Sequence, residues 1–241
     1  MDINNHIEYN YLKSFGRIDQ IINTSDNDYQ EVTDIPTRDK LTFNNGFYVD
    51  CCAMFVDIRG SSELPSTHRR PTLAKIYRSY VSEVVSIISA NEFCTEVSIV
   101  GDCVSGIFST KSNLNEVLNT AAKVVSLIKV LNYKLEKKGI KSIKVGIGIS
   151  FGRALMIKAG YLGSGINDVV WMGDVVNEAS KLCSNGNREC YDMPVMVSST
   201  FYERLTLPNK SELLKFNQLR RCYHGNIVNS EMDKWFNENC K

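Results

Sequence analysis

Two aspartates at the ends of hydrophobic strands are the residues of this sequence best placed to do chemistry. Asp57 closes the apolar run AMFVD and is followed by IRGSS, while Asp102 lies in a Gly-Asp turn between the β-rich runs TEVSIV and CVSGIF. Carboxylates are ligands that Mg²⁺ or Mn²⁺ prefers, and a loop of small residues offers backbone N–H groups to phosphate oxygens. The pattern indicates phosphoryl chemistry with two metal ions per site, although a lone aspartate at a strand end is also a common turn former or cap.

The order of the predicted helices and strands decides whether the two aspartates meet. From 47 to 150 a β-rich run, a helical run, two short strands joined at Gly101, a long amphipathic helix and an alternating strand follow one another. This β-α-β-β-α-β order predicts an α+β fold with a ferredoxin-like core, in which the first and third strands are antiparallel neighbours. Asp57 and Asp102 are then expected at the same end of the sheet.

The regions outside this core have a different character. Residues 1–24 carry apolar side chains at helical spacing, and the polar stretch that follows, up to Lys40, is typical of a linker or a long surface loop. We therefore predict an N-terminal helical extension and linker at 1–45, a catalytic domain at 46–205, and a C-terminal extension that completes or flanks it at 206–241. Gly146, Gly148 and Gly152 of the alternating strand serve either close packing or ligand access.

The composition excludes several classes of protein. The chain is 43% hydrophobic and 23% charged, and its 28 basic and 27 acidic residues give a net charge of +1, without the basic excess of a nucleic-acid-binding protein. Its eight cysteines form no CxxC pair, which argues against a zinc site. No signal-peptide pattern and no apolar run of about 18 residues is present. We expect a cytoplasmic protein with no nucleic-acid partner and no membrane span.

Four motifs, in this order, resemble those of class III nucleotidyl cyclases: FVDIRGSS, SIVGDCVSGIF, VGIGISFGRAL and VVWMGDVVNEASKL. They cover about residues 47–200. The resemblance implies a head-to-tail homodimer with its sites at the interface. It also implies the reaction, in which the 3′-hydroxyl of a nucleoside triphosphate attacks its own α-phosphate, releases pyrophosphate and forms a 3′,5′-cyclic monophosphate.

The resemblance assigns roles to residues of the first two motifs. Asp57 and Asp102 match the two metal-binding aspartates, and the carbonyl group of Ile58 would complete one metal shell. Gly60 and Ser61 would lie against the phosphates of the substrate.

The fourth motif would supply catalytic residues to the partner subunit's site. Asn177 matches the asparagine that orients the ribose. Lys181 stands where the family usually has an arginine that stabilises the pentavalent phosphate, so the charge is kept but the bidentate fork is lost. The lysine that holds the triphosphate in the family has no clear equivalent here, and Lys215, Arg220 and Arg221 are candidates for that role.

The base pocket departs from the purine-specific pattern at two positions. Ser98, three residues before Gly101, replaces the lysine or glutamate that reads adenine or guanine, and Val170 replaces an aspartate or threonine of adenylate cyclases. A site that cannot pair a base edge discriminates strongly against that base, so ATP and GTP are disfavoured. The Ser98 hydroxyl can donate or accept. Because no Arg or Lys lies from Thr95 to Ser98 and Glu96 could accept from the cytosine amino group, the sequence slightly favours CTP over UTP.

This pattern is similar to that of the bacterial pyrimidine cyclases of Pycsar antiphage defence, which make cyclic CMP or cyclic UMP. The similarity implies a separate effector protein that responds to the cyclic nucleotide. Two alternatives stay open: an adenylate cyclase with an unusual base pocket, and a non-catalytic cyclase-like domain that binds nucleotide. Intact Asp57, Asp102 and Asn177 favour an enzyme, whereas Lys181 and the missing triphosphate lysine favour the non-catalytic domain.

Overall fold

The helices and strands of the chain come from a computed structural model that describes residues 8–111, 113–162 and 167–240. The helices are α1 (Tyr11–Ile22), α2 (Leu64–Thr67), α3 (Arg70–Ser89), α4 (Leu114–Glu136), α5 (Asp174–Asn185), α6 (Ser199–Arg204), α7 (Lys210–Leu213) and α8 (Ser230–Asn239). The strands are β1 (Tyr29–Glu31), β2 (Gly46–Ile58), β3 (Cys94–Val100), β4 (Cys103–Ser109), β5 (Val145–Gly160), β6 (Asn167–Met172), β7 (Val195–Val197), β8 (Lys215–Asn217) and β9 (Cys222–Gly225). Short 3₁₀ turns lie at Asp26–Asp28, Arg38–Lys40 and Ser61–Glu63.

The described strands form one mixed sheet, in the order β3-β4-β2-β5-β7-β9-β8. The first four are the ferredoxin-like core, so the predicted β-α-β-β-α-β order and the antiparallel pairing of its first and third strands, β2 and β4, are confirmed. At the edges, β1 pairs parallel with β2, and β6 pairs antiparallel with the second half of β5. The sheet is thus wider than the sequence predicted.

Helices α3 and α4 cover one face of the sheet and enclose the main hydrophobic core. On α3, Ile76, Tyr80, Val84 and Ile88 recur every fourth residue, and all four are fully buried. This spacing places them along one stripe of the helix, which faces the core. The opposite face of the sheet is therefore left for the candidate site.

Helix α5 crosses that opposite face and packs closely on β5. A Cβ atom at Gly148 would lie 2.0 Å from the Ala179 carbonyl oxygen, and one at Gly146 would lie 2.2 Å from the Cys183 carbonyl oxygen. No larger residue fits at these positions without moving the helix. Close packing, one of the two roles considered for these glycines, is the role that the structure shows.

The two ends of the chain add elements to this core. The predicted N-terminal helix is present as α1, and the part of that prediction on residues 1–7 lies outside the described residues. Within the stretch predicted to be a linker, β1 joins the sheet, and Leu41 is buried beside Phe47 and Met156. At the other end, β8 and β9 extend the sheet, and α8 contacts α4, where Lys129 Nζ lies 2.5 Å from Asp233 Oδ1. None of the described helices is long and apolar enough to cross a membrane.

Candidate active site

The two aspartates singled out in the sequence meet at one end of the sheet. Val56 lies opposite Val104 in the β2–β4 ladder, so Asp57 at the end of β2 adjoins Asp102 in the turn that opens β4. Burial raises the pKa of Asp57 to about 6, and the nearby negative charge of Asp102 adds to the rise, while Arg59 opposes it. Two carboxyl groups held together in this way form a site that attracts a cation.

The donor set fits a hard divalent cation. Asp102 Oδ2 is buried and has no hydrogen-bond partner among the described residues, which is a costly state for a carboxylate oxygen unless a cation binds it. The described residues contain no group of three or more His, Cys, Asp or Glu placed to hold a metal. Mg²⁺ commonly uses one or two carboxylates and completes its shell with substrate phosphates and water. Asp57 and Asp102 match that pattern, and the carbonyl group of Ile58 remains the predicted third protein ligand.

Arg59 is a part of this site that the sequence analysis missed. Its Nη2 lies 2.6 Å from Asp57 Oδ2, and its Nη1 donates a hydrogen bond of 2.9 Å to the carbonyl group of Ser184 at the end of α5. The guanidinium therefore ties the tip of β2 to α5 and partly balances the negative charge of the aspartates. No local signal reveals this role, because Ser184 is distant in sequence.

The loop after Asp57 turns at Gly60 and leaves open space there. Gly60 has a φ of +67°, which favours glycine, and a Cβ atom there would meet nothing within 4 Å. Ser61 begins the 3₁₀ turn that follows. The space beside Gly60 is thus open, and the phosphate-binding role of Gly60 and Ser61 stays a prediction.

The two predicted catalytic residues of α5 are turned away from the sheet. Asn177 and Lys181, one helical turn apart, are both exposed, whereas Val175 and Ala179 are buried on the opposite side of the helix. The groups that most affect the pKa of Asp57 do not include either residue. The fold thus brings the two aspartates together, and it leaves Asn177 and Lys181 accessible to a second chain.

Ser98 lies on the same face of the sheet as Asp57. The ladders align Ser98 with Ser105 of β4, and Ser105 with Phe55 of β2. Side chains of aligned residues share a face, and Phe55 and Asp57 share one because they are two residues apart. Ser98 is half-buried there, and Val170 on β6 is 38% exposed. Their role in binding the base stays a prediction.

Glu96 is not the free acceptor on which the preference for CTP depended. It is only 7% exposed, and its Oε2 accepts a hydrogen bond of 3.1 Å from Trp171 Nε1. Its Oε1 lies 2.9 Å from Nη2 of Arg38, which comes from the N-terminal segment. A cation does therefore lie beside this strand, although it is far away in sequence, and the argument for CTP loses its basis.

One of the three candidates for the triphosphate-binding cation already has a partner. The guanidinium of Arg220 bonds both carboxylate oxygens of buried Asp192, at 2.8 and 3.2 Å. Lys215 and Arg221 are exposed. Arg220 therefore has a structural role, and Lys215 and Arg221 stay the candidates for binding the triphosphate.

Comparison with known proteins places the chain in one family. Residues 44–229 match the model of the adenylate and guanylate cyclase catalytic domain. The chain is 39% identical to a uridylate cyclase of Gulbenkiania mobilis, over 97% of this chain and 98% of the relative. It is 38% identical to a uridylate cyclase of Treponema porcinum, over 96% of this chain and 82% of the relative.

Solved structures show the same fold at lower identity. The adenylyl cyclase CyaB from P. aeruginosa matches with a TM-score of 0.60 and 21% identity, over 75% of this chain and 93% of that one. The guanylate cyclase domain of RhGC from Catenaria anguillulae, in complex with GTP, matches with a TM-score of 0.51 and 19% identity, over 64% of this chain and 81% of that one. With its paired aspartates and the family match over most of its length, the chain belongs to the class III nucleotidyl cyclases.

Proposed function

We propose that the chain is a metal-dependent uridylate cyclase that converts UTP to 3′,5′-cyclic UMP and pyrophosphate. The observation that carries the proposal is the pair formed by Asp57 and Asp102, with its buried and unpartnered Oδ2. The choice of UTP is supported by the two relatives with 38–39% identity, which are both named uridylate cyclases. CTP, which the sequence slightly favoured, becomes the competing substrate.

Asp57, Asp102 and the carbonyl group of Ile58 would hold Mg²⁺ or Mn²⁺, two ions per site. When bound, the metal supplies positive charge to the phosphates and lowers the pKa of the 3′-hydroxyl. Gly60 and Ser61 would position the phosphates with their backbone N–H groups. In the reaction a bond forms between O3′ and the α-phosphorus, the bond from that phosphorus to pyrophosphate breaks, and the hydroxyl proton leaves to solvent.

The other catalytic residues would come from a second copy of the chain. Asn177 and Lys181 are exposed on α5, where they can enter a neighbouring site. Asn177 would orient the ribose, and Lys181 would stabilise the charge that develops on the α-phosphate, as a point charge without a bidentate fork. Ser98 and Val170 would face the base. The active species in this proposal is a homodimer with its sites at the interface.

The proposal extends to the cell. Cyclic UMP would act in the cytoplasm, where nucleoside triphosphates are available, through a separate effector protein in antiphage defence. The similarity to bacterial pyrimidine cyclases supports this role. Cyclic UMP should rise on phage infection in bacteria that carry the wild-type chain and not in those that carry Asp57→Ala. Equal levels in the two strains would contradict the role.

Product analysis tests the proposed reaction. The purified protein is incubated with Mn²⁺ and with ATP, GTP, CTP or UTP in separate reactions, and the products are identified by mass spectrometry. Cyclic UMP from the wild type and from Glu92→Gln, an exposed carboxylate outside the site, but not from Asp57→Ala, would support the proposal. A cyclic purine nucleotide as the main product, or no product from any of the four, would contradict it.

A further inference from the structure

We propose that Arg38 selects uracil over cytosine by donating a hydrogen bond to a carbonyl oxygen of the base. This inference rests on the proposed function, since it names the residue that sets the base preference of that site. It also gives the N-terminal segment a part in substrate recognition.

Two carboxylates hold the Arg38 side chain in place. Its Nη2 lies 2.9 Å from Glu96 Oε1 on β3, and its Nη1 lies 3.6 Å from Asp168 Oδ1 on β6. The backbone on either side is fixed as well, because Leu41 is buried and Ile35 packs against the same hydrophobic cluster. Arg38 therefore bridges two strands from a well-anchored turn.

Those two strands carry the candidate base-facing residues. Glu96 and Ser98 are two residues apart on β3, so their side chains share a face and their Cα atoms are about 7 Å apart. On β6, Asp168, whose carboxylate lies 3.6 Å from Arg38 Nη1, is two residues from Val170, so those two side chains also share a face. The guanidinium thus contacts, on each strand, a carboxylate two residues from a candidate base-facing residue.

The chemistry of a guanidinium distinguishes the two pyrimidines. Arginine has five N–H donors and no acceptor. The Arg38 side chain is 58% exposed, so N–H groups remain available beside the two carboxylates. Uracil presents a carbonyl oxygen at C4, which accepts from a guanidinium, whereas cytosine presents an amino group there, which cannot. Arg38 would therefore favour UTP and disfavour CTP.

Glu96 would act as a positioning residue in this arrangement. Its carboxylate is buried. Trp171 donates to Oε2, and Oε1, which has no hydrogen-bond partner among the described residues, forms the ion pair with Arg38 at 2.9 Å. The alternative is a structural role, in which Arg38 only neutralises this buried carboxylate. The two roles differ in one measurable property: neutralisation affects UTP and CTP equally, whereas base reading affects UTP selectively.

The test compares kcat/KM for UTP and for CTP, with Mn²⁺, in the wild type, Arg38→Met and Arg38→Lys. Lys40→Met, which removes a positive charge from the same exposed turn, is the matched control. We expect Arg38→Met to lower kcat/KM for UTP by about 10- to 100-fold, the usual effect of losing a charge-assisted hydrogen bond, and to change that for CTP by less than about threefold. Arg38→Lys should lie between, and Lys40→Met should match the wild type.

The outcomes separate this inference from the proposed function. If the wild type makes cyclic UMP and Arg38→Met lowers kcat/KM for UTP and for CTP by the same factor, Arg38 does not read the base and the proposed function stands. If the wild type makes no cyclic UMP, the proposed function itself fails. Denaturant unfolding shows whether Arg38→Met is folded; if it is not, the UTP-to-CTP ratio of Arg38→Lys decides, because lysine keeps the charge and loses the fork.

Discussion

Replacing Asp102 with asparagine should stabilise the metal-free protein while it abolishes activity. The pKa of Asp57 is raised from 3.8 to about 6 by burial and by the charge of Asp102. In the unfolded chain Asp57 loses its proton near pH 4, and in the folded chain it does so near pH 6. Its contribution to stability is therefore complete below about pH 4 and is lost as the pH rises through about 6.

The size of the effect follows from this rise. At about 1.4 kcal/mol for each tenfold change in proton affinity, a rise from 3.8 to about 6 corresponds to about 3 kcal/mol at pH 7.5. Burial is the larger cause, and solvent screens Asp57, whose side chain is 32% exposed. We therefore assign about 1 kcal/mol to the charge of Asp102. For a chain of this size, that raises Tm by about 2–4 °C.

The assay is denaturant unfolding in EDTA at pH 7.5 and pH 5, with the wild type, Asp102→Asn and the control Glu92→Gln. The variant should be more stable than the wild type at pH 7.5, and the difference should shrink at pH 5, where Asp57 is largely protonated. Adding Mn²⁺ should stabilise the wild type and not the variant. A variant that is less stable than the wild type at pH 7.5 in EDTA would refute the view that these carboxylates repel one another.

Three further perturbations test the packing, a buried ion pair and the dimer. Gly148→Ala should displace α5, because the new Cβ would lie 2.0 Å from a backbone oxygen, and should lower both the melting temperature and the activity. Arg220→Met should cost about 3 kcal/mol of unfolding free energy, measured in denaturant, because it removes the cation from buried Asp192 and leaves only the hydrogen bonds from Asn217 and the Glu189 N–H. Asp57→Ala and Lys181→Ala chains, each inactive alone, should regain about a quarter of wild-type activity when mixed in equal amounts. About half of the dimers are then mixed, and each mixed dimer has one intact site of two.

The packing test has a matched control, and each of the three has an outcome that would contradict it. Gly16→Ala in α1, where a Cβ meets nothing within 4 Å, should leave stability equal or slightly higher; a loss as large as that of Gly148→Ala would contradict the packing argument. Equal stability of Arg220→Met and the wild type would contradict the ion-pair argument. No recovery of activity in mixtures that exchange subunits would contradict shared sites.

The sequence was sufficient to predict the convergence of Asp57 and Asp102. Strand alternation, a Gly-Asp turn and two helices that each connect a pair of strands leave few topologies. In the ferredoxin-like topology the two residues share an end of the sheet. The glycines of β5 were harder to interpret. Their close contact with α5 depends on the angle at which the helix crosses the sheet, and no local pattern encodes that angle.

The contacts that sequence reasoning missed are all long-range. The segment that contains Arg38 is polar and was read as a linker, yet its guanidinium pairs with Glu96 on β3. The sequence suggested that Glu96 could contact the base, because nothing in the sequence around an acidic residue of a short strand indicates that it is buried. Strand β6 was missed because VVWM is too short to show a period, although its Trp171 completes the environment of Glu96. Such pairings arise only when the distant strands meet in the folded chain.

The most direct test of the account is a single competition reaction. ATP, GTP, CTP and UTP are supplied together at equal concentration with Mn²⁺, and cyclic products are quantified by mass spectrometry for the wild type and for Asp57→Ala. We expect cyclic UMP to predominate with the wild type and to be absent with the variant. A predominant cyclic purine nucleotide, or cyclic UMP that persists in Asp57→Ala, would contradict it.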